Sequence, residues 1–445
     1  ILNKIKLLLQ YLNPISNLYL YKSFCNYLVI PNKRNKKDYH QIDIKFYKLK
    51  NNRDIIDLKY RNIQIGDLIY DEFLAKYNLP TIDLKSNQFK FFFYETFELI
   101  LFWENYFLKN NVKSIVLSHS VYIMGLIGRL GISKKIEVYV IAPTSHYKLS
   151  RKKYVKWNDH FDYPINFNKF SKKLKNKLIV DAKKNMKLRL SGKQDFRYKV
   201  ARPISPVFTG SNIKIKKNRI KKNILVAAHC FMDAPHVYGK MIFYDFYEWL
   251  EFLGKKSDEI KFKNFNWFIK IHPSLYDRNI KIFNNFISRY PNFKLIDKYQ
   301  THNNLISKIG IDYVLTVFGS IAHEYSLYNI PVINAGTNPH MGYKFSITAK
   351  SKKDYKKILN NLVKETKKIE IKKNKIFEFY AMHHLLDYDF FDDLKMTYDL
   401  KSNSIELFVK FIENINENIH NNKIDVYKNF IFSKKRRLID LSKWK

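Results

Sequence analysis

Tyr313-Val-Leu-Thr-Val-Phe-Gly-Ser-Ile-Ala-His-Glu-Tyr-Ser-Leu-Tyr-Asn-Ile-Pro-Val-Ile-Asn334 carries the pattern from which the rest of the chain can be read. Tyr313-Val-Leu-Thr-Val is a short apolar, β-branched run and reads as a buried strand. Phe318-Gly319-Ser320 punctuates it, and Ser320 to Tyr328 has the spacing of a helix opened by a serine cap. Pro331-Val-Ile-Asn is a second buried strand. Strand, helix and strand in such close succession form a βαβ crossover, which calls for a parallel sheet covered on both faces.

The same grammar extends toward the N-terminus. Asn223-Ile-Leu-Val-Ala-Ala, Trp267-Phe-Ile-Lys-Ile and Phe293-Lys-Leu-Ile read as strands. Helical stretches run from Phe243 to Leu253, Ile280 to Arg289 and His302 to Ile309. Residues 223–365 therefore predict a Rossmann-like domain. In the first half, Ser114-Ile-Val-Leu-Ser-His is a strand leading into a helix over Val121 to Leu130, and Glu137-Val-Tyr-Val-Ile-Ala is another strand. Residues 1–205 predict a second, N-terminal Rossmann-like domain. Pro203, Pro206, Gly210 and a basic polar run mark the linker, placed at 206–222. From 366 to 445 the chain reads as a charged helical extension. The expected fold is α/β and GT-B-like: two Rossmann-like domains facing a cleft, with a C-terminal helical tail.

Composition bounds this reading. The chain has 445 residues, enough for two or three domains, and 46% of them are hydrophobic, which excludes wholesale disorder. Cys25 and Cys230 cannot build a disulfide framework, and no CxxC pair suggests zinc, so a cytoplasmic protein is expected. The first residue is Ile1 rather than Met, which suggests a piece of a longer protein. Lys and Arg total 80 against 40 Asp and Glu, a net charge of +40. Such a field attracts polyanions. The lysines are dispersed, however, and Ile, Asn, Tyr and Phe are enriched alongside them, as an AT-rich genome produces. A solvated surface ranks first, an anionic membrane surface second and nucleic acid last. No transmembrane helix is read. Leu7 to Tyr21 is interrupted by Gln10, Asn13, Pro14 and Asn17, and suits an amphipathic segment on an anionic leaflet or a packed helix. Phe89 to Leu108, with Lys90, Glu95, Glu98 and Glu104, reads as a buried amphipathic helix.

Neither GxGxxG nor a GxxxxGK[ST] loop is present, which removes the ordinary nicotinamide and P-loop readings. Three strand ends carry chemistry instead. At Phe318-Gly319-Ser320, glycine lets backbone approach a ligand and the helix start offers N–H groups to phosphate oxygens, with Ser320 as cap; Glu324, one turn on, suits ribose hydroxyls. The ordinary alternative is a plain serine cap and a solvated glutamate. At Lys270-Ile-His272-Pro273, the histidine suits phosphate or a leaving group, with Lys270 as a further counter-charge; the alternative is a turn histidine before proline. In Ala228-His229-Cys-Phe-Met-Asp233-Ala-Pro-His236, Asp233 suits a base toward an acceptor hydroxyl or a carboxylate nucleophile, positioned by His229 or His236; the alternative is a capped turn. Metal binding is not expected there, nor at Met382-His383-His384 with Asp387, Asp389, Asp392 and Asp393, whose residues would spread around a helix. Lys434-Lys-Arg-Arg437 reads as a solvated tail, and Ser118-His119-Ser120 as a group facing an acceptor across the cleft.

Thr316 to Ile333, together with Lys270-Ile-His-Pro273, resembles the bacterial capsule polysaccharide biosynthesis proteins, a GT-B glycosyltransferase group that includes Kdo transferases. The resemblance covers about residues 220–340. It implies that His272, Ser320 and Glu324 contact a donor nucleotide, with the Asp233 loop beside the transferred sugar. UDP-GlcNAc 2-epimerases usually show Gly-Gly and paired glutamates where this chain has Gly319-Ser320 and His323-Glu324. CDP-glycerol glycerophosphotransferases usually carry an Asp before the helix where this chain has Thr316-Val-Phe. The resulting expectation is a nucleotide-sugar-dependent glycosyltransferase for a surface polysaccharide or glycolipid acceptor, cytoplasmic or peripheral on the inner face of the membrane. Neither metal nor cofactor is expected. A polyol-phosphate transferase or sugar epimerase is the alternative, and a nucleic-acid-binding protein ranks last.

Overall fold

In the computed structural model the described residues are 36–142, 145–154, 156–191, 221–239, 241–272, 276–297, 300–364, 371–386, 424–439 and 441. Leu7 to Tyr21, the linker up to residue 220 and Asp387 to Asp393 lie outside them. Lys222, at the linker's expected end, already opens a strand.

The N-terminal region is mostly helical. Helices α1 (Lys36–Tyr47) and α2 (Asn52–Ile56) precede a two-stranded hairpin, β1 (Lys59–Tyr60) and β2 (Ile63–Gln64). Helices α3 (Gly66–Tyr77) and α4 (Asn87–Lys109) follow. Ser86 caps α4 by accepting the Phe89 N–H. Phe89, Phe92, Phe93, Phe97 and Ile100 recur every three or four residues and are buried, so α4 closes an aromatic core with Phe73 and Leu126. Glu104, buried on the same stripe, accepts from the Tyr60 hydroxyl at 2.5 Å and pairs with Arg61.

The sheet of this region is smaller than expected. Strands β3 (Ser114–Leu117) and β4 (Glu137–Ala142) are parallel and joined by α5 (Tyr122–Ser133), whereas β5 (Ser145–Leu149) returns antiparallel to β4. The described residues therefore form one βαβ unit and a hairpin return, in place of a full second Rossmann-like domain. The described residues before β3 are mostly in helices α1–α4, whose hydrogen bonds are local and whose apolar stripes build a core without further strands.

Helices α6 (Tyr163–Asn168) and α7 (Lys172–Leu190) leave this sheet for a core of their own. Tyr163, Phe167, Leu178 and Met186 pack there against Tyr343, Ile376, Phe379 and Leu385.

The larger sheet is the five-stranded one read from the sequence, extended at its edge by Ile347–Thr348, which that reading did not include. Strands β6 (Lys222–Ala227), β7 (Phe265–Lys270), β8 (Phe293–Ile296), β9 (Tyr313–Thr316), β10 (Val332–Asn334) and β11 (Ile347–Thr348) are all parallel. Their spatial order, β11-β10-β9-β6-β7-β8, is the doubly wound arrangement 3-2-1-4-5-6. Helices α8 (Phe246–Ser257), α9 (Tyr276–Arg289), α10 (His302–Asn304, continuing as a π-helical turn), α11 (Ile321–Ser326) and α12 (Lys352–Val363) complete the unit. The strand interiors Ile224, Leu225, Val226, Val314, Leu315, Val332 and Ile333 are fully buried, as a sheet covered on both faces requires. α8 begins later than the expected Phe243 because Asp245 caps it, accepting the Glu248 N–H at 2.7 Å.

The C-terminal extension is not a free helical tail. Helix α13 (Lys373–Tyr380) joins the core around α7, and α14 (Ile424–Phe432) lies on the outer face of the small sheet through Phe430 against Tyr139. Lys148 donates its backbone N–H to Arg436 O at 2.7 Å, and Leu438 donates to His146 O at 2.9 Å. These bonds extend the sheet beyond β5 and cover its edge.

Candidate functional site

In a doubly wound sheet, ligands bind outside the carboxyl ends of the strands where the winding reverses. Here that point lies between β6 and β9. The loops leaving these strands are tied together by His229, whose Nε2 accepts from the Thr316 hydroxyl at 3.1 Å and from the Val317 and Phe318 N–H groups at 3.3 and 3.4 Å. Thr316 Oγ1 in turn accepts the Gly319 N–H at 3.2 Å. Burial, reinforced by nearby His272, lowers the His229 pKa to about 3, and its ring stacks on Phe246. His229 is thus a neutral imidazole spent on holding two loops in register. A Cβ at position 319 would stand 2.8 Å from the Thr316 hydroxyl and displace it from this arrangement.

His236 also turns away from Asp233. Its Nδ1 lies 2.6 Å from Asp71 Oδ1 in α3, and its backbone N–H donates to Asp71 Oδ2 at 3.2 Å. Burial opposes its charge, but Asp71, with Asp67 and Asp245 behind, raises its pKa. Tyr70 of α3 donates to Asp245 at 2.6 Å, so this pair of contacts fastens α3 to the loop after β6.

Asp233 is exposed. Its Oδ1 accepts from the Ala234 N–H at 2.9 Å and from the Tyr122 hydroxyl at 3.2 Å, while Oδ2 makes no hydrogen bond among the described residues. Tyr122 opens α5 with φ of 57°, a left-handed conformation costly for a residue with a side chain. Burial, then Asp233 and Asp71, push its phenol well above the ordinary range, so the hydroxyl keeps its proton. Exposed Ser118 and His119 precede it, with Ser118 Oγ 3.1 Å from His119 Nδ1. Ser120 is buried against the Tyr147 hydroxyl.

At the neighbouring strand ends, His272 is exposed, whereas Lys270 is buried and donates to Gln300 O at 2.7 Å. Burial lowers the Lys270 pKa to about 8. Ser320 makes no side-chain cap; its backbone is already helical, and its hydroxyl accepts from Arg189 at 3.3 Å. The same guanidinium donates through Nε to Glu324 Oε1 at 2.6 Å, with both side chains buried. Burial would raise the Glu324 pKa, but Arg189, helped by His302 and His323, brings it to about 2. Glu324 is therefore turned toward a buried arginine. Its other oxygen, Oε2, lies 3.9 Å from His302 Nε2. Burial lowers His302 to about 4.

The structure thus brings His229, Gly319 and Ser320 to the switch point, with His272 near His229. It gives Asp233 its own partners and sends His236 and Glu324 into buried ion pairs. Arg189 and Tyr122 are the residues that sequence reading missed. Arg189 had one weak signal, being the single arginine in a helix that otherwise uses lysine. Tyr122 had none. Among the described residues no three His, Cys, Asp or Glu side chains gather as a metal site, and His383 and His384 are buried. The Lys434–Arg437 run is split: Arg436 pairs with Asp159 and Arg437 donates to Tyr163 and Met382 O, while Lys434 and Lys435 stay exposed. No described helix is long and apolar enough to cross a membrane.

No protein-family model and no curated protein matches the chain. Among solved structures it is weakly similar to KpsC of Thermosulfurimonas dismutans, a beta Kdo 2,4 transferase, with a TM-score of 0.34 and 11% identity over 58% of this chain and 75% of that one.

Proposed function

We propose that this chain is a glycosyltransferase that moves a sugar from a nucleotide donor to a surface polysaccharide or glycolipid acceptor. The observation that carries the proposal is the pairing at the sheet's switch point. At the carboxyl ends of β6 and β9, where a doubly wound sheet opens its ligand crevice, Gly319 and Ser320 lead into α11 and His272 is exposed at the neighbouring strand end. On the loop after β6 the Asp233 carboxylate has one oxygen pinned and the other without a hydrogen bond among the described residues. The donor nucleotide occupies the crevice, where doubly wound sheets take phosphates. His272 donates to the phosphate, and the buried cation of Lys270 offsets charge on the departing nucleotide, while Arg189 stays paired with Glu324. Asp233 Oδ2 meets either the acceptor hydroxyl as a base, giving inversion, or the anomeric carbon as a nucleophile, giving retention after double displacement. Tyr122 and the Ala234 N–H fix the direction of that oxygen.

The test is thermal stabilisation by CMP, UDP, GDP and CDP, with and without magnesium, in the wild type and in His272→Ala. His272 is exposed, so this variant keeps its fold; Glu324→Ala would instead strand a buried arginine. At a hundredfold excess over Kd a bound nucleotide adds about 2.7 kcal/mol. The proposal predicts that one nucleotide stabilises the wild type without magnesium and that His272→Ala weakens the effect. If none of the four raises the wild-type Tm, the proposal fails.

A further inference from the structure

We propose that α14 and the two lysines following it form a docking surface for an anionic lipid bilayer. This surface lies apart from the switch-point crevice and does not depend on the transferase reading.

The helix is firmly held. Phe430 and Leu438 are buried against Tyr139, and Lys148 Nζ donates to the carbonyls of Ile431 and Ser433 at 2.8 and 2.6 Å, closing the end of the helix. Arg436 is anchored by Asp159, and residues 436–438 hydrogen-bond to the sheet. A segment fixed so thoroughly has no need of apolar side chains on its outside. Yet Phe432 is 82% exposed and Ile431 40% exposed, side by side at the helix end. Lys428, one turn before Phe432, and Lys434 and Lys435 just after it are all exposed.

Phe432 and Ile431 ringed by lysines are the ingredients of an interfacial anchor: apolar tips enter the acyl boundary while ammonium groups meet lipid phosphates. Among the described residues the acids at this surface are already engaged or distant: Asp159 pairs with Arg436. Asp425 lies at the far end of α14, and the Glu137 carboxylate accepts from the Tyr139 hydroxyl. A nucleic-acid strand would engage the lysines and could stack a base on Phe432, but it would leave Ile431 in water; a bilayer takes up both apolar tips together, so the pair favours a bilayer. The net charge of +40 supplies long-range attraction to the same surface.

The full chain should co-sediment with vesicles of phosphatidylcholine mixed with phosphatidylglycerol, less so at high salt, and poorly with phosphatidylcholine alone. Phe432→Ser with Ile431→Ser should reduce partitioning at least about fivefold, because both apolar tips are lost. Lys434→Gln with Lys435→Gln should reduce it only on vesicles containing phosphatidylglycerol. Unchanged melting temperatures would show that the exposed substitutions leave the fold intact. Absence of wild-type binding overturns the proposal, as does wild-type partitioning of both pairs, which would assign binding to diffuse charge. Concentration-dependent dimerisation lost in the Phe432 and Ile431 variant, without vesicle binding, would overturn it in favour of a second copy of the chain.

Discussion

Replacing Arg189 by methionine isolates the contact that joins α7 to the candidate donor site. The variant leaves the Glu324 carboxylate buried with its main counter-charge gone, while methionine keeps most of the side-chain volume. Breaking a buried pair by removing one partner costs about 3–5 kcal/mol. A second route gives a similar figure: a carboxyl held at about 2 rather than 4.5 corresponds to about 3 kcal/mol favouring its ionised form. For domains of this size that is a fall in Tm of about 10 °C. In the variant, burial dominates and Glu324 takes up a proton. Arg189→Met with Glu324→Leu removes both charges and should recover most of the loss, because a hydrophobic replacement of a buried pair is often neutral. The assay is urea denaturation of the wild type, both single variants and the double variant, with the coupling energy read from the cycle. The pH dependence has a definite sign. Glu324's contribution is complete above 4.5 and disappears as pH falls through about 2, so wild type and Arg189→Met should converge in acid. Single variants within about 1 kcal/mol of wild type, or additive effects in the double variant, would refute the reasoning.

Three further outcomes are expected. Burial holds His160 and His229 at about 3 and His302 at about 4, so these imidazoles are neutral when folded but protonate near 6.5 when unfolded. Stability should therefore drop by several kcal/mol as pH falls from about 7 to 5, partly offset by the raised His236, whose contribution is present below 6.5 and lost as pH rises through its folded value; a flat denaturation midpoint across that range would contradict this. Gly66→Ala should cost at least about 3 kcal/mol, since its Cβ would stand 1.8 Å from the Ile55 carbonyl oxygen and backbone must move; a thermal melt checks it. Asp233→Asn should leave Tm unchanged, being exposed, but lower sugar transfer at least about a hundredfold, with Tyr122→Phe giving a smaller loss in the same assay.

Local pattern determined the larger sheet. Runs such as Ile224-Leu-Val and Val314-Leu are apolar because a doubly covered parallel strand offers no solvent face, and that demand can be read in any short window. The carboxyl-end positions of His229, His272 and Gly319 follow from strand boundaries alone. What those side chains do does not follow, because their partners are remote in the chain. Arg189 and Glu324 are 135 residues apart, Tyr122 and Asp233 are 111, and Asp71 and His236 are 165. Such pairs arise only when α3, α5 and α7 dock against the sheet, and no periodicity encodes docking. The return of residues 436–438 to β5 is hidden for the same reason: an edge strand is recruited by unpaired N–H and C=O groups, which every sequence carries alike. Sequence thus determined which residues stand at the carboxyl ends of the strands, and tertiary packing decided which of them stay exposed and which are consumed in holding the loops together.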